Sequence, residues 1–335
     1  MDVFLTASGS YLPDRIVANE EISDSLGVDP EKIFKSSGIR KRHWASVEDT
    51  TSALASRALS FALRDADLSR DDIDYLILGT MTADRFIPGS ASAIQKNLGL
   101  REIPCLDIRA ACCNMLYGMQ LGSALIKGGT AKNVAICLAD IQSPWLDLSP
   151  KSGNISMLMG DAGSAIILSN ENRDKSVKLL DIRISTDGTF LDDLGIRSPG
   201  TEFGGMTNCN DLGELDNYFG RMNGLSVISN AISKMTDICE IILRENGLTI
   251  TDVRWLVPHQ ANINILDRVA SRLNFRSENG GLVSILENTG NTSSASMGLA
   301  LDALRQSDRI NINDYILMPG FAAGFTWGAG LGQVV

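Results

Sequence analysis

The sequence predicts an α/β fold made of two similar halves, and two observations carry that reading. Strand-like runs alternate with helix-like runs along the 335 residues. In addition, LRDADLSRDDIDYLILGT (63–80) lies against LRENGLTITDVRWLVPHQ (243–260) at a constant offset of 180 residues. Leu63-Arg64 meets Leu243-Arg244, Leu68 meets Leu248, Ile73 meets Val253, and Tyr75-Leu76 meets Trp255-Leu256.

Taken in order, each copy opens with a helix-like stretch, 50–66 or 227–246, and closes in a short apolar strand, Tyr75–Leu78 or Trp255–Val257. The same offset carries Tyr117-Gly118 onto Met297-Gly298 and Leu121 onto Leu301, so the helix after Cys112 has a counterpart after Thr292. Strands Asn133–Leu138 and Tyr315–Met318 follow those helices. The polar run SNENRDKS marks the joint, which gives halves 1–172 and 173–335. If a pseudo-twofold relates them, Cys112 and the Asn291-Thr292 turn are equivalent, and His259 ends a strand equivalent to the one ending near Gly79. Residues far apart in sequence then converge on one central site.

Composition narrows the function. With 44% hydrophobic and 21% charged residues, the chain has the make-up of a soluble protein with ample core. A net charge of −10 argues against nucleic-acid binding, which needs a concentrated basic surface. No uncharged apolar run reaches the roughly 18 residues that span a membrane, and MDVFLTASGSYLPDR lacks the make-up of a secretory signal. The six cysteines (105, 112, 113, 137, 209, 239) form no CxxC pair, so reduced and mostly buried thiols, no metal site and a cytoplasmic location are expected.

Four stretches can carry chemistry. In DIRAACCNMLYGMQLGSALI (107–126), Cys112 stands at the N-terminus of an apolar helix, where the helix dipole favours a thiolate. Cys113 lies about 100° further round and reads as packing. For both, the plain alternative is a small core residue. His259 follows WLVP, at the carboxyl end of a strand, where α/β folds place ligands; the other histidine, His43, reads as a surface turn or strand end. In LENTGNTSSASMGLALDAL (286–304), Gly290 permits a tight turn beside the Asn291 amide, and Thr292 or Ser293 could simply cap the next helix. MPGFAAGFTWGAGLG (318–332) lets backbone amides approach a ligand closely, although such a run is commonly only a turn. GDAGSAIIL (160–168) reads as a turn entering a strand, since it has no lysine and no following helix.

Together these stretches resemble the type III β-ketoacyl-[acyl carrier protein] synthases of the thiolase superfamily. The resemblance runs from GSYLPDRIVAN (9–19) and GIRKRHWA (38–45) through the cysteine segment and MGDAGSA (159–165) to VPHQANI (257–263), NTGNTSSAS (288–296) and GFTWG (324–328). It implies a thiolase-like duplicated fold, layered α-β-α-β-α, and a Cys-His-Asn site at Cys112, His259 and Asn291. Cys112 would take an acyl group from a thioester, with the backbone amides of Cys112 and Ala323 as oxyanion hole. His259 and Asn291 would then stabilise the enolate formed when a malonyl thioester loses carbon dioxide. Phe325 would help keep the site dry, and Ile87, in DRFIPGSAS, would stand where the family often has a pocket-wall Phe reaching across a homodimer interface. The smaller Ile87 implies tolerance of acyl chains longer or more branched than acetyl. No permanently bound cofactor is implied; acyl-CoA or acyl-carrier-protein thioesters are substrates.

Five positions depart from the family. Lys32 replaces an aromatic residue that stacks on the coenzyme A adenine, Ser36 an arginine beside it, and Asn264 an arginine after the HQAN motif. Cys113 and Asn114 replace the small residue and glycine after the nucleophile. Lys151 and Arg272 remain as candidate phosphate contacts, and Arg268, Arg272 and Arg276 as candidates for docking an acidic carrier protein; a solvated basic face is the plain alternative. The weakened coenzyme grip points to an acyl donor delivered on a carrier protein or as an unusual thioester, in fatty-acid initiation or a specialised polyketide-like pathway. An acyltransferase that passes the acyl group to an alcohol or amine is the alternative reading, and a catalytically silent partner subunit a third.

Overall fold

The computed structural model describes residues 1–203, 218–276, 280–307 and 309–335; Cys209 lies outside the described residues. The chain begins with β1 (Phe4–Tyr11), β2 (Arg15–Ala18), α1 (Asn19–Leu26), α2 (Pro30–Ser37) and β3 (Lys41–Trp44). Next come α3 (Thr51–Asp65), β4 (Tyr75–Gly79), α4 (Ala91–Leu98) and β5 (Cys105–Ile108). The first half closes with α5 (Asn114–Lys127), β6 (Asn133–Asp140), α6 (Gly153–Ser156) and β7 (Ala162–Ser169). The second half holds β8 (Val177–Thr186), the short β9 (Leu194–Gly195) and β10 (Arg221–Met222), then α7 (Gly224–Glu245), β11 (Val253–Leu256) and α8 (Ile263–Arg272). It ends with β12 (Gly281–Leu282), α9 (Leu286–Thr289), α10 (Ser296–Arg305), β13 (Tyr315–Ala322) and β14 (Thr326–Val334).

The two-residue period of the strands sorts side chains into layers. Leu76, Leu78, Ala135 and Cys137 face outward onto α3 and α4, whereas Ile77, Val134, Ile136 and Leu138 face inward onto α5. In the second half Ile316 and Met318 join that inner layer with Met297 and Leu301 of α10, while Leu317 faces α7 and α8. Helices α5 and α10 are therefore shared between two sheets, which gives the five layers expected. The strand order is β12-β11-β13-β14-β8-β1-β7-β6-β4-β5. Its two five-strand groups join where β1 and β8 pair at Phe4↔Lys178 and Leu5↔Val177.

The repeat is real, but its offset is not constant. Asp72 accepts hydrogen bonds from both the N–H and the hydroxyl of Ser69, at 2.8 and 2.7 Å. Asp252 does the same for Thr249, at 2.7 and 2.8 Å, so the offset of 180 holds here. By the buried helices it is 182. The turns Ala111–Cys113 and Ser293–Ala295 both begin on a non-glycine residue at φ 48°, and they lead into helices starting at Asn114 and Ser296. The second half carries two extra residues before its helix. The counterpart of Cys112 is thus Ser294 rather than Thr292, and the apparent match of Tyr117-Gly118 with Met297-Gly298 is two residues out of register.

Candidate active site

Cys112 sits in the middle of a one-turn 3-10 segment, between the positive φ of Ala111 and the start of α5. It is half-buried, and its Sγ lies 3.5 Å from the Ser293 hydroxyl. Burial pushes the thiol up to about 11; the Ser293 hydrogen bond works against this, and the Asp140 carboxylate adds to it. The helix end alone therefore does not make a resting thiolate: desolvation wins. Cys113 is fully buried, with Sγ 3.6 Å from the Thr326 carbonyl, and is a packing residue as expected.

His259 extends the β11 ladder, its N–H donating to the Pro319 carbonyl at 2.9 Å. The ring is only 4% exposed, and burial pulls its pKa down to about 4, so it is neutral near pH 7. Its Nδ1 is 2.6 Å from the Ser296 hydroxyl, which itself accepts the Gln260 N–H at 3.3 Å. When the Ser296 hydroxyl donates to Nδ1, the imidazole proton lies on Nε2 and the neutral ring is a donor there.

Asn291, 7% exposed, is held on all sides. Its N–H donates to the Leu158 carbonyl at 2.8 Å, and its carbonyl accepts from Gly160 N–H at 3.0 Å. Its Oδ1 accepts the Ser293 N–H at 2.9 Å, which leaves the side-chain NH₂ as the free donor. The MGDAGSA stretch thus acquires a physical role, because its Met159 bridges Asn291 and its glycine makes room. A Cβ on Gly160 would lie 2.3 Å from the Thr289 carbonyl, and one on Gly290 2.8 Å from that of Leu158. Gly290 also has φ 65°, as a tight turn requires.

Ala323 lies in the turn between β13 and β14 and lines a cavity of about 470 Å³ together with Ala110, Ala111 and Gly324. The glycine-rich C-terminal segment and the cysteine turn therefore share one wall. Phe325 lies beneath that wall, fully buried, stacked on Phe190 at 5.2 Å and tilted against Phe321 at 4.8 Å. Ile87 is 78% exposed, beside Phe86, so within a single chain it encloses nothing.

The departures from the family cluster beside α2. Asn264 donates to the Ser36 carbonyl at 2.6 Å and Asn262 to the same oxygen at 2.9 Å, so both amides serve the α2–α8 junction. Phe34, two residues after Lys32 in the sequence, lies under the Arg40 guanidinium at 3.7 Å. Arg40 also pairs with Glu287 at 3.1 Å and Glu31 at 3.5 Å, which holds it over that ring. Lys151 is exposed on the Pro150–Ser152 turn, and Arg268, Arg272 and Arg276 are exposed on and after α8. The sequence reading missed Ser293, Ser296, Asp140 and the partners of Asn114. The one available signal was NTSSAS, a polar run leading into a helix apolar enough to be buried.

A profile described as 3-oxoacyl-[acyl-carrier-protein (ACP)] synthase III matches residues 106–188, and its C-terminal counterpart matches 243–334. A stage V sporulation protein AD profile matches residues 14–142. The β-ketoacyl-[acyl-carrier-protein] synthase III of Chlamydia caviae is 32% identical over 323 residues, covering 96% of this chain and 94% of that protein. The chain belongs to the β-ketoacyl-[acyl-carrier-protein] synthase III family. Among solved structures, 3-oxoacyl-[acyl-carrier-protein] synthase III from Aquifex aeolicus superposes on this synthase with a TM-score of 0.88 at 29% identity, covering 99% of both chains. The priming β-ketosynthase of the R1128 polyketide biosynthetic pathway gives 0.88 at 28%, covering 99% of this synthase and 96% of that chain. Among the described residues, no side-chain cluster could hold a metal, and no helix is long and apolar enough to cross a membrane.

Proposed function

We propose that this family member works through Cys112, His259 and Asn291: Cys112 accepts an acyl group from a thioester, and His259 and Asn291 drive decarboxylative condensation with a malonyl thioester. The observation that carries the reading is the NTSSAS segment, which meets all three residues. It contains Asn291, its Ser293 touches the Cys112 sulfur, and its Ser296 hydrogen-bonds His259 Nδ1. In the first half-reaction Cys112 Sγ attacks the thioester carbonyl, the carrier thiol leaves, and the Cys112 and Ala323 amides are the candidate oxyanion donors. In the second, the extender loses carbon dioxide and its carbonyl oxygen becomes an enolate. Two neutral donors, the His259 Nε2–H and the Asn291 side-chain NH₂, suit that charge, and each such donor is typically worth roughly 3 kcal/mol. The enolate carbon attacks the acyl-cysteine, and the thiolate is released.

The acyl donor in this reading is a carrier-protein thioester rather than free acetyl-CoA. Lys32 offers no stacking face, Phe34 is covered by Arg40, and Asn264 is engaged with Ser36. Lys151, Arg268, Arg272 and Arg276 are left to meet phosphate and an acidic carrier. A homodimer in the cytoplasm completes the proposal, with Ile87 closing the partner's acyl pocket and admitting longer or branched acyl chains. Mass spectrometry of Cys112 after incubation with acyl-CoA and acyl-carrier panels tests the first step, and carbon dioxide release from a malonyl thioester tests the second. Acyl transfer to an alcohol or amine without carbon dioxide would refute condensation, and productive turnover of acetyl-CoA at low concentration would refute the carrier preference.

A further inference from the structure

Asn114 is a fully buried polar residue to which the reaction assigns no step. Its Oδ1 accepts the Ala110 N–H at 2.7 Å, and its Nδ2 donates to the Ser294 hydroxyl at 2.9 Å. That hydroxyl in turn donates to the Ala111 carbonyl at 3.3 Å, and the Ser294 N–H donates to Asp140 Oδ2 at 2.9 Å. The other Asp140 oxygen accepts the Met81 N–H at 2.7 Å and the Thr80 hydroxyl at 3.0 Å. One amide thus grips both sides of the contact between the halves: the strained turn carrying Cys112, and the segment three residues after Asn291. Room for it comes from Gly79, where a Cβ would lie 2.5 Å from the Asn114 Cβ.

We propose that Asn114 is a positioning residue that locks the Cys112 turn to the Asn291 segment, so that the enolate donors stay aimed at the acyl-cysteine. The inference rests on the condensing reading above and deepens it. Acylation draws on the Asn291 segment only through the Ser293 contact to the sulfur, whereas condensation needs both enolate donors in register, so the clamp acts chiefly on the second half-reaction. Ser294 is fully buried, so its hydroxyl loses a partner that nothing replaces, and losing the amide frees both segments at once.

The test compares Asn114→Leu, which keeps the volume without the hydrogen bonds, with Ser294→Ala, which removes the other end of the link and keeps the N–H to Asp140. Rates are normalised to the fraction of enzyme whose Cys112 can be acylated, so misfolded protein is not counted. In each variant, kcat for condensation should fall roughly 10- to 100-fold. Acylation should fall several-fold less than condensation, and the double variant should be little worse than either single one. Asn114→Asp can still accept from Ala110 and Ser294. It should recover much of the condensation rate while moving the acylation pH limb upward, because it adds negative charge near the thiol. Wild-type condensation per acylable site, an equal fall in both half-reactions, or additive effects would each overturn the clamp. If the wild-type enzyme acylates but never condenses, the condensing reading itself fails and the clamp with it, an outcome the variants cannot mimic.

Discussion

Replacing Ser293 with alanine removes the side chain that, among the described residues, hydrogen-bonds the Cys112 sulfur. The thiol stands at about 11, and the Ser293 contact is what holds it down against burial and Asp140. A hydrogen bond to a charged group is typically worth about 1.5–3 kcal/mol, which is roughly one to two pKa units. At pH 8 the thiolate fraction would then fall about 10- to 100-fold. A more basic thiolate is also a better nucleophile, with a Brønsted slope near 0.5, which returns roughly the square root of that loss. Alkylation or acylation of Cys112 should therefore slow by about 3- to 10-fold at pH 8. The limb of the pH–rate profile should move up by at least about one unit. Stopped-flow acylation and iodoacetamide labelling between pH 6 and 11 measure both quantities. An unchanged limb in a variant with wild-type thermal stability would refute the argument, because it would mean that Ser293 does not touch the thiolate.

Three further outcomes follow from the same contacts. Cys112→Ala should abolish the acyl-enzyme adduct seen by mass spectrometry, whereas Cys113→Ala should keep it and lose about 1 kcal/mol of stability from the small cavity beside Thr326. Gly160→Ala forces a methyl to within 2.3 Å of the Thr289 carbonyl. Overpacking of that kind costs about 1–3 kcal/mol and displaces Asn291, so carbon dioxide release should drop far more than acylation, as separate half-reaction assays would show. Because burial lowers the His259 pKa from 6.5 to about 4, the unfolded chain binds the extra proton between those values. The stability due to neutral His259 is then complete above about pH 6.5 and is lost as the pH falls towards 4, a loss of about 3 kcal/mol. Urea midpoints of the wild type should decline over that window, and those of His259→Gln should decline less.

The fold was legible because its determinants are local. Two-residue alternation in the strands and the paired Ser69–Asp72 and Thr249–Asp252 loops are written in adjacent residues, and so is the apolar helix after Cys112. Cys112, His259 and Asn291 were legible through motif and resemblance, since each sits at an element end that the repeat locates. The hydroxyl network was not. Ser293 and Ser296 look like helix caps in one dimension, and only tertiary packing turns them towards Cys112 and His259. The thiol's acidity was misjudged for the same reason: a helix end is visible in sequence, but the desolvation that outweighs it comes only with tertiary burial. The register slip from 180 to 182 was hidden by two chance identities, and it surfaced only through the matched backbone of Ala111 and Ser293.

That corrected register explains how two similar halves came to divide the work. With an offset of 180 at the strand ends, Gly79 corresponds to His259; with 182 at the helix starts, Asn114 corresponds to Ser296 and Cys112 to Ser294. In the second half the helix-start residue, Ser296, hydrogen-bonds the strand-end residue, His259, and fixes a donor. In the first half the strand-end residue is a glycine, and the helix-start Asn114 fills the vacated space. Its amide crosses the pseudo-twofold to Ser294, the counterpart of the nucleophile. The same pair of positions thus sets a hydrogen-bond donor in one half and a cross-half clamp in the other. A glycine at position 114 could not make that crossing. This chain should consequently tolerate Gly79→Ala only when Asn114 is reduced to glycine in the same molecule.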